Sequence, residues 1–353
     1  MIYKNRTADN AKVRLIREGL YSLHSVIAPY YYLLIILFAY FLLALYLQNI
    51  FHFQIDYMTV FNLQHESEYF AFFSLYFFVL LGVTLLREHK IAFQIKDYVF
   101  KIIEFMWVLL CLRFLLVIYC ALKQAIPIIN PGVLDEDLLT CERIIHFGIV
   151  PSLLFVNILK NHESIVSVLD KIYFSWYFVK VIVFSFIVFY FPKRKRIVFF
   201  YSYFLIWILG GSLAILFPSW GPIYYKPHWF TEILPHARFA NVLQKILWDH
   251  YLQIIKLSKT GDYIVYIYEG IAAIPSLHVA TVALYFFFFK KWSRWVASLA
   301  LSYLCLIQFG SFVLGWHYAI DGYLGILIAW AVFGQVSYVM DTCDKYNVII
   351  HRC

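Results

Sequence analysis

Long, almost uncharged apolar runs alternate with short polar connections along this chain. A helix that crosses the hydrocarbon core needs about 20 predominantly apolar residues. Runs of that kind lie at 27–47, 69–86, 102–122, 172–191, 197–217, 275–290, 294–314 and 319–339. A ninth run, 144–159, is shorter and contains His146 and Pro151, so it reads either as a span or as a re-entrant or interfacial helix. One stretch follows a different pattern. Phe239, Val242, Leu243, Ile246, Leu247, Tyr251 and Ile254 repeat with helical period, while Arg238, Asn241, Gln244, Lys245, Asp249, Gln253 and Lys256 fill the other face. That predicts an amphipathic helix, either lying in the headgroup plane or packed on the bundle.

Composition narrows the fold class. Hydrophobic residues make up 63% of the 353 positions and charged residues 14%, against roughly a quarter in a soluble domain. No soluble globule hides that much apolar surface, and no disordered chain carries it. The 14 Gly and 10 Pro exclude a collagen-like repeat. The six cysteines contain no C-x-x-C and read as packing residues, not a disulfide framework. The first apolar run begins near Val26 without a small-x-small cleavage site, so no cleaved signal peptide is expected. The prediction is an all-α integral membrane protein, a polytopic helical bundle of about eight or nine spans. Residues 1–143 form an N-terminal membrane extension with the first three spans, the third belonging either to it or to the core. Residues 144–339 form the main membrane region, and 340–353 a short polar tail.

The net charge of +8 does not point to nucleic acid, because the basic residues bunch between apolar runs, at 4–17, 87–101, 193–196 and 290–294. Such clusters suit cytoplasmic loops on anionic headgroups. The loops at 48–68 and 124–142 are acidic or free of Lys and Arg, and belong outside. These assignments agree with one another if 144–159 does not span, which gives eight spans.

Two segments put titratable residues at the ends of apolar runs. In Ile274-Pro275-Ser276-Leu277-His278, proline suits a helix start, so a helix should begin near Ser276 with His278 in its first turn, where free N–H groups favour an anion. In Gly315-Trp316-His317-Tyr318-Ala319-Ile320-Asp321, His317 and Asp321 are spaced i, i+4, so the carboxylate can accept from the imidazole Nδ1–H. Parity brings His278 and His317 to one membrane face, with the run Phe217–Pro222 ending another span there. By loop charge that face is extracytoplasmic or lumenal. Ionisable groups at such depth are costly and usually functional. Two His and one Asp also match a metal triad, although no further acidic cluster supports a divalent ion.

The pattern P-S-L-H followed by G-W-H-Y-x-x-D-G resembles the type 2 phosphatidic acid phosphatase (PAP2) superfamily, and within it the inositol phosphorylceramide synthase branch, over roughly residues 197–339. The resemblance implies a six-helix catalytic core and a metal-independent lipid phosphotransferase or phosphatase needing no cofactor. It implies His317 as the nucleophile that forms a phosphohistidine, Asp321 as its orienting acid and His278 as general acid and base. It gives Ser276 and nearby backbone N–H groups a phosphate-holding role.

The departures from the family pattern carry information. The phosphatase branch has Lys-x6-Arg-Pro in its first motif and Ser-Arg-x5-His in its third. This chain has no Arg-Pro, and Ser311 stands six residues before His317. A phosphomonoester dianion needs more positive charge than a diester monoanion. The favoured substrate is therefore a phosphodiester lipid whose headgroup passes to a lipid or polyol hydroxyl, and the resemblance to the synthase branch implies that the headgroup is inositol-phosphate-like. Lys226, Arg238 and Lys245 are candidate replacements for the missing cations, each weighed against simple headgroup contact. Trp220 and Tyr318 are candidates for the substrate pocket among aromatics that otherwise suit an interface belt. Alternatives are a lipid phosphate phosphatase and, outside enzymes, a lipid transporter. Against the transporter, the polar residues sit at span ends and not at the midplane.

Overall fold

The computed structural model describes residues 27–55, 91–260, 264–265 and 270–350, and the expected span at 69–86 lies outside them. The fold is a helical bundle. After a single turn at Ala28–Tyr30 come α1 (Tyr31–Phe51), α2 (Ile91–Ile129), α3 (Asp135–Ile145), α4 (Pro151–Leu159), α5 (Glu163–Phe174) and α6 (Trp176–Tyr190). They are followed by α7 (Lys193–Leu216), the short α8 (Pro222–Tyr225), α9 (Arg238–Thr260), α10 (Leu277–Lys290), α11 (Arg294–Val313) and α12 (Ala319–Ile350). Two two-residue strands, β1 (Gln54–Ile55) and β2 (Ile264–Val265), pair in parallel.

Six stretches among the described residues are long and apolar enough to cross a membrane: Ala28–Phe51, Asp97–Ile129, Glu163–Tyr190, Lys193–Leu216, Arg294–Val313 and Ala319–Cys343. The run at 144–159 is broken by Phe147 and Gly148, both at positive φ, and only the nine residues of α4 are helical beyond it. Nine residues rise about 14 Å, too little to span. Residues 163–190 make one apolar stretch from α5 and α6, joined at Ser175, whose hydroxyl donates to the Ile172 carbonyl at 2.6 Å.

Helix α10 is the axis of the bundle. It has only 14 residues, yet Leu277, every position from Val279 to Tyr285, Phe288 and Phe289 are buried, so no face of it is polar. A helix apolar all round belongs in an interior, and α10 packs against α7, α11 and α12. Gly325 of α12 makes one of these approaches possible, because a Cβ there would lie 2.5 Å from the Ser276 carbonyl oxygen. The outer surface is apolar as well: Ile35, Leu110, Leu209, Leu299 and Trp330 are exposed on five different helices. With no water-facing coat over these helices, the bundle belongs in lipid.

Polar groups are sorted to the two ends. At one end the half-buried Arg196 pairs with the buried Glu104 at 2.8 Å, and Tyr30 donates to the same carboxylate at 2.6 Å. Arg194 pairs with Asp341, and Lys101 with Asp97 at 3.1 Å. The turn carrying Lys290 and Lys291 lies at this end too, Lys291 reaching Ser337 on α12. The starts of α2 and α7 and the end of α10 meet here. The loops bearing His278 and His317 therefore lie at the opposite end.

The amphipathic α9 packs on α2 and α5. Ala240, Leu247 and Ile254 face the bundle, while Phe239, Val242 and Ile246 are exposed. The apolar stripe is thus shared between protein and surroundings. Gln244 is a correction to the expected polar face: it is buried, and its amide donates to the Leu314 carbonyl at 2.8 Å.

Candidate active site

Three loops converge at the end opposite the basic cluster. The first, residues 217–221, begins where α7 stops before Pro218, a position that disfavours helix. The second is 271–276, leading into α10, and the third is 314–318, between α11 and α12. Backbone hydrogen bonds stitch them together: Ala273 N–H to Ser219 O at 3.0 Å, Ile223 N–H to Gly315 O at 3.0 Å, and Ser276 N–H to Asp321 O at 3.0 Å. The Ser219 hydroxyl accepts from Ile274 N–H at 3.1 Å. Two positions require glycine. Gly221 (φ +94°) and Gly315 (φ +79°) are left-handed, and a Cβ on Gly221 would stand 2.6 Å from the Trp316 carbonyl oxygen.

This stitching brings the two histidine rings together, edge to face at an interplanar angle of 60°. Their ring centroids are 6.2 Å apart, near enough for one phosphate to touch both. His278 occupies the first turn of α10, as expected, behind an N-cap at Ser276. Trp176 stands edge-on to His278 at 4.5 Å and Tyr173 lies 5.4 Å away; Tyr173 in turn stacks on Trp316 at 6.4 Å. The Ser276 hydroxyl and the indole N–H groups of Trp176 and Trp316 are buried without a protein partner. Buried donors without acceptors are costly, and an anion between the histidines supplies acceptors.

His317 departs from expectation in its partner. Its Nδ1 lies 2.6 Å from the Ala273 carbonyl oxygen, while Asp321 Oδ2 stands at 3.8 Å, beyond hydrogen-bond reach. A carbonyl only accepts, so Nδ1 carries the proton and Nε2 keeps its lone pair. The tautomer expected from Asp321 is set instead by backbone. Asp321 remains close enough to stabilise a positive imidazole, and its Oδ2 accepts from Tyr318 N–H at 2.8 Å, closing the first turn of α12. Among the described residues, no group of three His, Cys, Asp or Glu side chains is arranged to hold a metal ion.

A family profile described as the PAP2 superfamily matches residues 136–335, which include both histidines, Asp321 and all three loops. The chain belongs to the PAP2 superfamily. No curated protein and no solved structure matches it. Membership points to lipid phosphatase or phosphotransferase chemistry; the branch within PAP2 is a separate question.

What holds this PAP2 site in place was not apparent in the sequence. Asp135 and Glu142, spaced i, i+7 on α3, are both fully buried. Asp135 accepts from Trp220 N–H at 2.7 Å, Gly221 N–H at 2.8 Å and the Tyr318 hydroxyl at 3.0 Å. Glu142 accepts from Ala319 N–H at 2.5 Å, at the start of α12. On α5, the buried Asp170 does the same for Phe239 and Ala240 N–H, at 2.8 and 3.0 Å, at the start of α9. Glu142 and Asp170 meet orphan N–H groups at the positive end of a helix distant in sequence, while Asp135 pins the 217–221 loop. The 124–142 segment read as an acidic outside loop. The i, i+7 spacing flanking Leu138 and Leu139 was the available signal for a buried acidic face.

The other expected site residues disperse. Ser276 lies at the histidines. Trp220 packs its ring against Trp248 and Tyr251 of α9, both at 5.7 Å. Tyr318 is fully buried, committed to Asp135 and not open to a substrate pocket. Lys226 rests over the Tyr225 ring at 4.5 Å, and Arg238 and Lys245 are exposed at the start and outer side of α9. No hydrogen bond or ion pair joins Lys226 or Arg238 to the histidines among the described residues.

Burial pushes the Glu142 carboxyl up to about 7; the nearby Asp321 adds to this and the Ala319 N–H opposes it. The folded protein then holds a proton that the unfolded chain releases. The contribution to stability is full at low pH and is lost as pH rises from the usual carboxylate range to about 7. Glu142→Gln keeps an acceptor for Ala319 without a charge to desolvate. Between about pH 5 and about pH 8 the thermal midpoint of the wild type in detergent should fall more steeply than that of the variant. Equal slopes would show that Glu142 does not hold that proton.

Proposed function

We propose that this PAP2 protein is a membrane lipid phosphotransferase that moves a phosphate-linked, inositol-phosphate-like headgroup from a phospholipid donor to a lipid or polyol hydroxyl, without a metal or other cofactor. The observation that carries the reading is the 2.6 Å contact of His317 Nδ1 with the Ala273 carbonyl, which places the proton on Nδ1 and leaves the Nε2 lone pair on a ring 6.2 Å from that of His278. In the first half-reaction Nε2 attacks phosphorus. The P–O bond to the donor's lipid alcohol breaks, and that oxygen takes a proton from His278. The headgroup phosphate is then bonded to Nε2, and the cationic imidazole is steadied by Ala273 O and the Asp321 carboxylate. In the second half-reaction the acceptor hydroxyl gives its proton to His278 and attacks phosphorus. The P–N bond breaks, and His317 is restored.

The diester preference rests on the absent arginines, since a monoanion is satisfied by fewer cations. Hydrolysis of a lipid phosphomonoester is the second reading, favoured by superfamily membership alone. Purified protein given headgroup-labelled phosphatidylinositol and labelled phosphatidic acid, with a lipid-alcohol acceptor, separates the two. Transfer of label from the diester to the acceptor is expected, with His317→Ala and His278→Ala each lowering turnover by at least roughly a thousandfold. Release of free phosphate from the monoester alone would replace this reading with the phosphatase, and full turnover in either variant would remove the catalytic assignment.

Loop charge supports an extracytoplasmic or lumenal active site, because Arg194, Lys195, Lys290 and Lys291 lie at the far end. A glycosylation acceptor site inserted beside the exposed Thr231 and Glu232 should be modified in a eukaryotic host, and one inserted in the turn at Trp292 should not. The reverse pattern would invert the orientation.

A further inference from the structure

Between residues 134 and 163 the chain leaves the active-site end and returns to it without crossing. Asp135, at the start of α3, is bonded to the 217–221 loop and to Tyr318. After α4, Lys160 pairs with Glu232 at 3.9 Å and Glu163 with His236 at 3.5 Å, both partners lying in the connection that follows that loop. Between these polar anchors α3 and α4 form a hairpin with its elbow at 144–149. The elbow lies deeper than the anchors. Glu142 meets Ala319 at the start of α12, while His146 Nε2 lies 3.1 Å from the hydroxyl of Tyr323, four residues further along that span. Four residues of helix advance about 6 Å.

Side chains and backbone of the elbow both suit hydrocarbon. No residue from Ile144 to Leu159 is charged. Phe147 is 96% exposed and Ile144 71%, with Ile145 and Ile149 exposed beside them. Phe147 also holds a left-handed backbone (φ +55°), which is uncommon for an aromatic residue. Turns that face water are built from polar residues, so this tip is the wrong composition for one. The N–H groups of residues 146–149 all bond within the hairpin, to Glu142 O at 3.0 Å, Ile144 O at 3.4 Å, Arg143 O at 2.7 Å and His146 O at 3.1 Å. His146 Nδ1–H donates to Glu142 O at 2.8 Å, which leaves Nε2 to accept from Tyr323. A turn whose donors are met internally can sit in hydrocarbon, whereas one that relies on water cannot. The surface is also continuous with lipid-facing protein, since Leu327 and Trp330 are exposed on the same face of α12 as Tyr323.

We infer that α3 and α4 are a re-entrant hairpin whose elbow is seated among phospholipid acyl chains of the leaflet on the active-site side, and that this seat sets the depth of His317 and Asp321. The hairpin grips the start of α12 at two heights, through Glu142 on Ala319 and His146 on Tyr323. Tyr323 and Gly325 are two residues apart and so about 200° apart around the helix. Gly325 is where α12 meets the start of α10, so the hairpin supports α12 from the other side. Lipid packing against the elbow is thereby transmitted to the first turn of α12, which carries Asp321 and follows His317 directly. The effect on turnover rests on the phosphotransferase reading of this site; the seating in lipid does not.

The seating is read without turnover. Full-length protein carrying p-benzoylphenylalanine in place of Phe147 is reconstituted in nanodiscs of phosphatidylcholine with tritiated acyl chains, irradiated, and its label counted. Labelling should match, within about twofold, that of the same probe at Trp330, and exceed by roughly tenfold that at Glu232 on the active-site surface. A crosslink to a second copy of the chain, or labelling no greater than at Glu232, overturns the seating. The depth claim is read from Phe147→Ser, which should fold because the ring is almost wholly exposed. Its turnover of short-chain phosphatidylinositol in detergent should stay within about twofold of wild type, and its turnover of long-chain phosphatidylinositol in vesicles should fall by roughly fivefold. Ile144→Ser repeats the comparison at a second elbow position. Wild-type turnover in vesicles overturns the depth claim, as does an equal loss in detergent. Absence of headgroup transfer by the wild type in both settings would sink the phosphotransferase reading and leave the crosslink to decide the seating.

Discussion

The catalytic end depends on buried carboxylates that terminate helices belonging to other parts of the chain. Asp135, Glu142 and Asp170 are inaccessible to water, and each accepts backbone N–H groups at the start of a distant segment. A helix start leaves its first N–H groups without partners, and water that would normally satisfy them is scarce in a membrane bundle. A carboxyl oxygen meets this need as an acceptor whether or not the group is ionised, and when ionised it gains further from the charge-assisted bond and the helix dipole. Removing Asp135 or Glu142 would leave N–H groups unpaired in the loops that align His278 with His317, and removing Asp170 would do so at the start of α9. Helix α3 reaches the 217–221 loop through Asp135 and the start of α12 through Glu142, so one short, non-spanning helix governs a site built from three loops.

The imidazole of His317 is fixed by backbone in the same way. The Nδ1 proton of His317 is held by a carbonyl in the loop leading to α10, and that loop is fixed by Ser219. His317, His278 and Ser276, to which the proposed mechanism gives the roles of nucleophile, general acid and anion holder, are therefore aligned by one continuous set of hydrogen bonds. Preorganisation of this kind lowers the reorganisation needed when charge develops on phosphorus.

Much of this was legible in the sequence, and the gaps have physical causes. Six of the apolar runs coincide with stretches long enough to cross, because lipid demands about 20 apolar residues regardless of partners, whereas the expected span at 275–290 forms only the 14-residue α10. Pro275 and Ser276 located the start of α10, and alternation of spans put His278 and His317 at one end. The carboxylate contacts were not legible, since Glu142 meets a residue 177 positions away and Asp135 meets one 183 away. The Ala273 contact was not legible either, because a backbone carbonyl leaves no trace in residue type. Gln244 was assigned to the solvent face by helical period, which cannot foresee that the Leu314 carbonyl needs a donor there. Tyr318 was expected near substrate by proximity to His317, and is instead turned toward Asp135.

The claim at the centre of this account is that His317 attacks phosphorus through Nε2 while Nδ1 stays on Ala273. The most direct test is to mix wild-type protein with headgroup-labelled phosphatidylinositol in the absence of acceptor, quench in base, and map the labelled peptide. The account predicts an acid-labile, base-stable label on Nε2 of His317. Label on His278, label on Nδ1 of His317, or transfer with no covalent label at any time would contradict it.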